Sequence, residues 1–139
     1  MSQQNVEVVR SLQPSGVDLL SLLSPVGVAD PRVRLFADDF ESTFTSQDGS
    51  LPTRRGLPGF LAGWQDWLEA WERYEVWVDE LIDAGDEVVV LVRVNAVTRR
   101  DGIEMEHTPG AVWTVRDGLV RAVHFYYDRN LALKAAGLE

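Results

Sequence analysis

The chain has no cysteine, so no disulfide braces it and no thiol can act as nucleophile or metal ligand. That usage fits a reducing cytoplasm, with the fold resting on its core alone. Positive charge is also scarce. Thirteen Lys and Arg stand against 22 Asp and Glu, a net charge of -9 at pH 7, which opposes binding to a phosphate backbone or an anionic membrane surface. Arg54-Arg55 and Arg99-Arg100 are too short to reverse that field and read as solvated loops or turns. Long apolar runs are missing as well: the longest, Val88 to Val92, falls far short of the ~20 residues of a membrane span. The polar opening, Met1 to Asn5, does not read as a signal peptide.

Apolar residues nevertheless make up 45% of the 139 positions, including five Trp, five Phe and three Tyr. This is the size and composition of one domain, residues 1–139, with a substantial core. Asn5 to Leu12 and Val17 to Leu23 read as short helices, the first stopped by Pro14-Ser15-Gly16. Val26 to Asp38 reads as irregular, and Phe40 to Thr45 as a first strand. The clearest helix is placed from Leu57 or Pro58 to Arg73, where Leu57, Phe60, Leu61, Trp64, Trp67, Leu68 and Trp71 recur at spacings of three and four.

Beyond Arg73 the period changes to two. Tyr74 to Asp83, Glu87 to Thr98, Ile103 to Val115 and Leu119 to Tyr127 read as strands joined by turns at Ala84-Gly85, Asp101-Gly102 and Asp117-Gly118. The expected fold is therefore α+β, a long curled antiparallel meander packed on N-terminal helices. Pro109-Gly110 should put a bulge or bend in the third long strand. Asp128 is placed as the cap of a last helix, Arg129 to Ala136, ending at Gly137. Val88, Val90, Val92, Val94 and Ala96 share one face of their strand, and Val89, Leu91, Arg93, Asn95 and Val97 the other. Both faces are apolar enough to need a cover, which points to a twofold dimer through the second.

No Gly-rich phosphate loop, metal-ligand spacing or nucleophile elbow is present. Chemistry is then sought in side chains brought together by strand parity. Arg93 and Asn95 could orient a carbonyl, hydroxyl or water, or fill a closed polar part of the core. His107 has a reference titration near neutrality and suits a proton shuttle, or is a satisfied strand residue. His124, Tyr126 and Asp128 share one parity of the final strand, while Val123, Phe125 and Tyr127 share the other. If the first set faces a pocket, a His/Tyr proton-transfer pair is conceivable; if the second does, the lining is aromatic. Trp64 is a candidate lining residue, whereas Trp67 and Trp71 read as core. Asp38 and Asp39 are a further source of carboxylate.

Asn5–Arg10, the Trp-rich helix, Ile82–Val89, Val112–Gly118 and Tyr127–Gly137, taken in order, resemble the SnoaL-like branch of the nuclear transport factor two-like superfamily. The resemblance implies a cone formed by a curved sheet and helices, often dimeric through the outer face of the sheet. Members include polyketide cyclases, steroid isomerases, dehydratases, epoxide hydrolases and noncatalytic binding proteins. Arg93-Val94-Asn95 looks like the Arg-x-Asp segment of the epoxide hydrolases with Asn95 in place of the acid, and Phe125 stands where their second carboxylate aligns. The fold does not choose among these activities; the leading reading is a cofactor-independent, metal-free small-molecule-binding protein of this type, with a cyclase, isomerase or lyase acting on an oxygenated hydrophobic compound as the candidate activity. Its expected catalytic residues are His107, His124 and Arg93, and its ligand contacts Asn95, Trp64, Phe125 and Tyr127. The alternative is a noncatalytic ligand-binding or dimeric interaction module.

Overall fold

A computed structural model describes residues 3–13, 16–18, 34–46, 49–50 and 52–138. The elements are α1 (Gln3–Ser11), β1 (Val17–Asp18), β2 (Phe36–Ser46), β3 (Gly49–Ser50), β4 (Arg54–Arg55), α2 (Gly56–Leu68), β5 (Trp71–Ala84), β6 (Glu87–Thr98), β7 (Glu104–His107), β8 (Gly110–Arg116), β9 (Leu119–Tyr126) and α3 (Arg129–Ala135). Among the described residues, no helix is long and apolar enough to cross a membrane.

The period-two segments form the expected antiparallel ladders of β5 with β6, β6 with β8, and β8 with β9. The Asp117-Gly118 turn has positive φ at both residues, 56° and 76°, as a tight hairpin requires. The Pro109-Gly110 bend separates β7 from β8, both of which pair with β6. The Pro109 carbonyl accepts the Val92 N–H in the gap.

The cone-shaped, wholly antiparallel sheet is not what forms. The last strand of the meander pairs in parallel with β2, from Ser42 opposite Val123 to Thr45 opposite Tyr126. The strand order β1-β5-β6-β8-β9-β2-β3 begins and ends on strands that do not pair with each other. The sheet is thus mixed and open, not strongly curled. Hairpin signals report only strands adjacent in sequence; the parallel partner comes from the far end of the chain and leaves no local mark.

Other boundaries move for local reasons. Val17-Asp18, placed in a helix, is a short strand on Val76 and Glu75; the rest of that helix lies outside the described residues, as does most of the irregular stretch. The Trp-rich helix ends at Leu68, with the Glu69 N–H bonded to the Gln65 carbonyl and the Ala70 N–H to Trp67. Trp71 continues the helical spacing by coincidence and already begins β5, where Trp71, Tyr74 and Val76 are buried.

Pairing fixes which side chains share a face. Ser42, Val123, Trp113 and Val88 form one row across β2, β9, β8 and β6; Phe44, Phe125, Ala111 and Val90 form a second row on the same side. α1 and α2 cover this side, where Val6, Val9, Phe40, Val88, Val90, Trp113, Val115, Val120 and Val123 make the largest core cluster. α3 packs on the opposite side, with Ala132 fully buried against Val89, Leu91 and Val112. A Cβ on Gly110 would come within 2.9 Å of the Ala132 Cβ, so only glycine lets α3 lie this close to the strand. Part of the second apolar face is therefore covered by the chain's own C-terminal helix.

Candidate functional site

The helix-covered side carries a continuous run of buried and half-buried aromatic rings. Phe44 stacks on Phe125 with centroids 4.8 Å apart, and Trp64 meets both edge-on, at 5.4 and 5.1 Å. Phe60 and Trp113 flank Phe125 at 6.1 and 6.0 Å. Trp64 continues the run to Tyr74 at 6.4 Å, and Tyr74 touches Trp67 and Trp71. The helical spacing of Phe60, Trp64 and Trp67 aims these rings at the sheet, and the small Gly63 allows the approach: a Cβ there would lie 2.9 Å from Phe44 Cε1.

His107 stands at one end of this run. Its partner in the ladder is Val94, on the helix side, and its ring lies 5.9 Å from Trp71 and 6.0 Å from Tyr74. Partial burial makes the imidazolium harder to form and lowers the pKa of His107 below 6.5, so the ring is mainly neutral at pH 7 and able to accept a proton. Tyr74 is 4% exposed. Burial pushes its phenol up to about 12 against the opposing hydrogen bond from Trp67, so it stays protonated. Among the described residues, three buried polar groups on this side have no hydrogen-bond partner: the Ser42 hydroxyl and the indole N–H groups of Trp71 and Trp113.

Other candidates lie elsewhere. Arg93 is on the opposite side, where its Nε donates to Asp79 at 2.9 Å and its guanidinium lies over Trp77. Asp79 also accepts from Arg129 at 3.0 Å, and these two hydrogen bonds lower its pKa. Asn95 accepts from Arg73 at 2.6 Å and does not meet Arg93's partners. His124 stacks on Tyr126 at 4.2 Å and shares a 2.6 Å hydrogen bond with Thr45. Both rings line an open groove of about 260 Å³ with Glu41, Thr43, Glu87 and Thr114, on the side away from Trp64. Burial lowers the pKa of His124 too.

The final strand therefore sends Phe125 toward the helices and His124 away from them. Tyr127 lies past the end of β9 and is 40% exposed. Asp128 caps α3, accepting from the Asn130 N–H at 2.8 Å. Asp39 pairs with Arg121 at 3.2 Å, and Asp38 is exposed beside it. The structure thus brings Trp64, Phe125 and His107 onto one aromatic run and leaves Arg93, Asn95, His124 and Tyr127 off it. Tyr74 was not singled out from sequence, although its parity with Val76 was readable. Among the described residues, no three His, Cys, Asp or Glu side chains gather as a metal-binding group.

A family model described as the SnoaL-like domain matches residues 27–123. The structure is similar to that of a protein from Jannaschia sp. CCS1 provisionally described as a SnoaL-like polyketide cyclase, with TM-score 0.68, 24% identity, and coverage of 97% of this chain and 92% of that one. It is also similar to a nuclear transport factor two-like protein from Burkholderia thailandensis E264, with TM-score 0.60, 26% identity and coverage of 75% and 81%. A third similar structure, from Catenulispora acidiphila DSM 44928, is described as a hypothetical protein with a ketosteroid isomerase-like fold in complex with trimethylamine; the TM-score is 0.53, the identity 21% and the coverage 78% and 81%. No curated protein sequence matches the chain.

Proposed function

This chain belongs to the SnoaL-like domain family, and from that membership we propose that its aromatic run binds an oxygenated hydrophobic small molecule on which His107 acts as proton shuttle. The observation that carries the reading is the junction of apolar and protic groups: Phe125, Phe44 and Trp64 lead through Tyr74 to a half-buried, mainly neutral imidazole. Stacked and edge-on rings suit the flat apolar body of a ligand. A neutral imidazole suits removal of a proton next to a carbonyl.

In that reaction the C–H electron pair moves into the carbonyl to give an enolate, and His107 holds the proton as an imidazolium. The Tyr74 phenol, kept protonated by burial, is the nearby group suited to donate to the enolate oxygen. Return of the proton to another carbon completes an isomerisation; alternatively, the enolate carbon attacks a second carbonyl, whose π bond breaks to give an alkoxide, and His107 returns its proton to that oxygen to complete a cyclisation. Neither outcome needs a cofactor. We assign the chemistry to a cytoplasmic, single-domain enzyme of the cyclase, isomerase or lyase type, working as a twofold dimer.

The reading is tested with a panel of enolisable ketones, epoxides and hydroxylated polycycles, comparing wild type with His107→Ala. Loss of about 10²-fold or more in kcat is expected on any substrate turned over. Equal turnover removes His107 from the proton-transfer role. The second reading, a noncatalytic binding domain, is favoured by the placement of Arg93, Asn95 and His124 on the other side. It is supported if a ligand binds and no member of the panel is consumed.

A further inference from the structure

We infer that the groove behind the sheet is a second binding site, for a small planar cation of the guanidinium or amidinium type, stacked on His124 and held at its edges by Glu41 and Glu87. The inference is independent of the aromatic run: the groove lies on the opposite side of the sheet and takes a ligand of a different class.

Strand pairing builds the groove in rows. Glu41, Ala122, Thr114 and Glu87 stand side by side across β2, β9, β8 and β6. His124 belongs to the next row along β9 and Tyr126 to the one after, all on one face. Tyr126 covers one side of the imidazole, with centroids 4.2 Å apart and the planes 5° from parallel. The 2.6 Å hydrogen bond between Nε2 and Thr45 fixes the ring. Because the stack runs along the strand, the other side of His124 looks toward Ala122. Ala122 and Thr114 are too small to fill their row as Tyr126 fills its own, and the space they leave opens into the groove of about 260 Å³. This is below the roughly 300–1,000 Å³ of sites for drug-sized molecules, so the occupant is small.

The walls decide its charge. Glu41 and Glu87 both line the groove, from backbones roughly 14 Å apart at about 4.8 Å per strand spacing. Arg55 stands 3.8 Å from Glu41 but is 86% exposed, and a pair of this kind is weak. Among the described residues no cation pairs with Glu87. Burial, and then the charge of Glu87, raise the pKa of the Tyr126 phenol, so this carboxylate acts across the groove. The imidazole is mainly neutral at pH 7, since burial lowers its pKa, and its open face does not repel a cation.

Shape and charge together restrict the ligand. A guanidinium or amidinium offers a flat face to the imidazole and N–H donors in its plane, directed at carboxylates on opposite sides. An alkylammonium has the charge without the face, a neutral amide the face without the charge, and an anion is repelled by both walls. A twofold contact through this side of the sheet brings two such grooves together. A cation in each offsets the repulsion between their carboxylates, so ligand and pairing of copies support one another.

The test is an NMR titration at low salt with benzamidinium, its neutral isostere benzamide, and cyclohexylammonium, against wild type, Glu87→Gln, Ala122→Val and Trp64→Ala. Wild type is expected to bind benzamidinium about tenfold or more tightly than either other probe, the scale of one charge-assisted hydrogen bond. Its affinity should fall as salt is raised. Glu87→Gln, which keeps the side-chain shape, is expected to weaken benzamidinium about tenfold and bring it level with benzamide. Ala122→Val fills the open row with a residue suited to a strand and should weaken it at least as much; if that variant does not fold, Glu87→Gln carries the test. Trp64→Ala, on the other side of the sheet, leaves benzamidinium binding in place. Equal binding of the three probes, no saturable binding, or an affinity unchanged in Glu87→Gln overturns the inference and leaves the reading of the aromatic run standing. Binding lost in Trp64→Ala but kept in Glu87→Gln puts the cation among the aromatic rings and overturns it as well.

Discussion

His107 gives the account its sharpest residue-scale consequence, because burial lowers its pKa below 6.5. As the base, it must be unprotonated, so kcat/KM should rise with pH through a value below 6.5 and then level off. His107→Ala should abolish that limb, and a pH–rate profile measures both. Linkage has the same direction. The unfolded chain takes up this proton at higher pH than the folded one, so the stability associated with neutral His107 is complete above 6.5 and lost as pH falls through the lower folded value. Asp79 also has a depressed pKa, owed to the hydrogen bonds from Arg93 and Arg129. Its contribution is present above 3.8 and lost as pH falls through its folded pKa. Asp79→Asn is therefore expected to cost about 0.2–1 kcal/mol at pH 7, discounted for exposure, and progressively less by thermal melts as pH falls below 3.8. Period two reveals which residues share a face, so Phe125 could be separated from His124 in the sequence. It does not reveal which face the helices cover, and this is why Arg93 and Asn95 were grouped with His107 although they lie on opposite sides of the sheet.

At the scale of elements, α2 sets the position of the aromatic run through Gly63. Gly63→Ala puts a methyl 2.9 Å from Phe44 Cε1 and 3.3 Å from Arg54 Cδ. The Phe44 ring is held by Phe125 and Trp64 and has little room to retreat. Overpacking of about 1–3 kcal/mol is set against a helix-propensity gain of up to about 1 kcal/mol. A net loss of about 1–2 kcal/mol in denaturant titrations is expected, with weaker binding of aromatic probes. The body of α2 was legible from its spacing, but its end was not, because Trp71 fits the helical stripe and the strand alternation equally. The Pro109-Gly110 bend and the Asp128 cap were legible because each follows from what one residue can do to its own backbone.

For the molecule as a whole, the antiparallel meander could be read from hairpin turns, whereas the parallel joint between β2 and β9 and the open course of the sheet could not. α3 covers Val89, Leu91 and Val112, but the groove holding Thr114, His124 and Tyr126 stays open. A twofold dimer through that remaining surface should give twice the 15.6 kDa chain mass in light scattering at micromolar concentration. A monodisperse monomer would exclude it.

The central claim is that the oxygenated hydrophobic ligand enters the helix-covered side of the sheet, at the aromatic run, and not the polar groove behind it. The most direct measurement is a two-dimensional ¹H–¹⁵N NMR titration with 2-acetylnaphthalene. The account predicts saturable shifts in the indole N–H signals of Trp64, Trp67, Trp71 and Trp113 and in the side-chain resonances of His107, with Asp79, Arg93 and Arg129 unmoved. Shifts centred on Thr43, His124 and Tyr126 with the indole signals unmoved would contradict it.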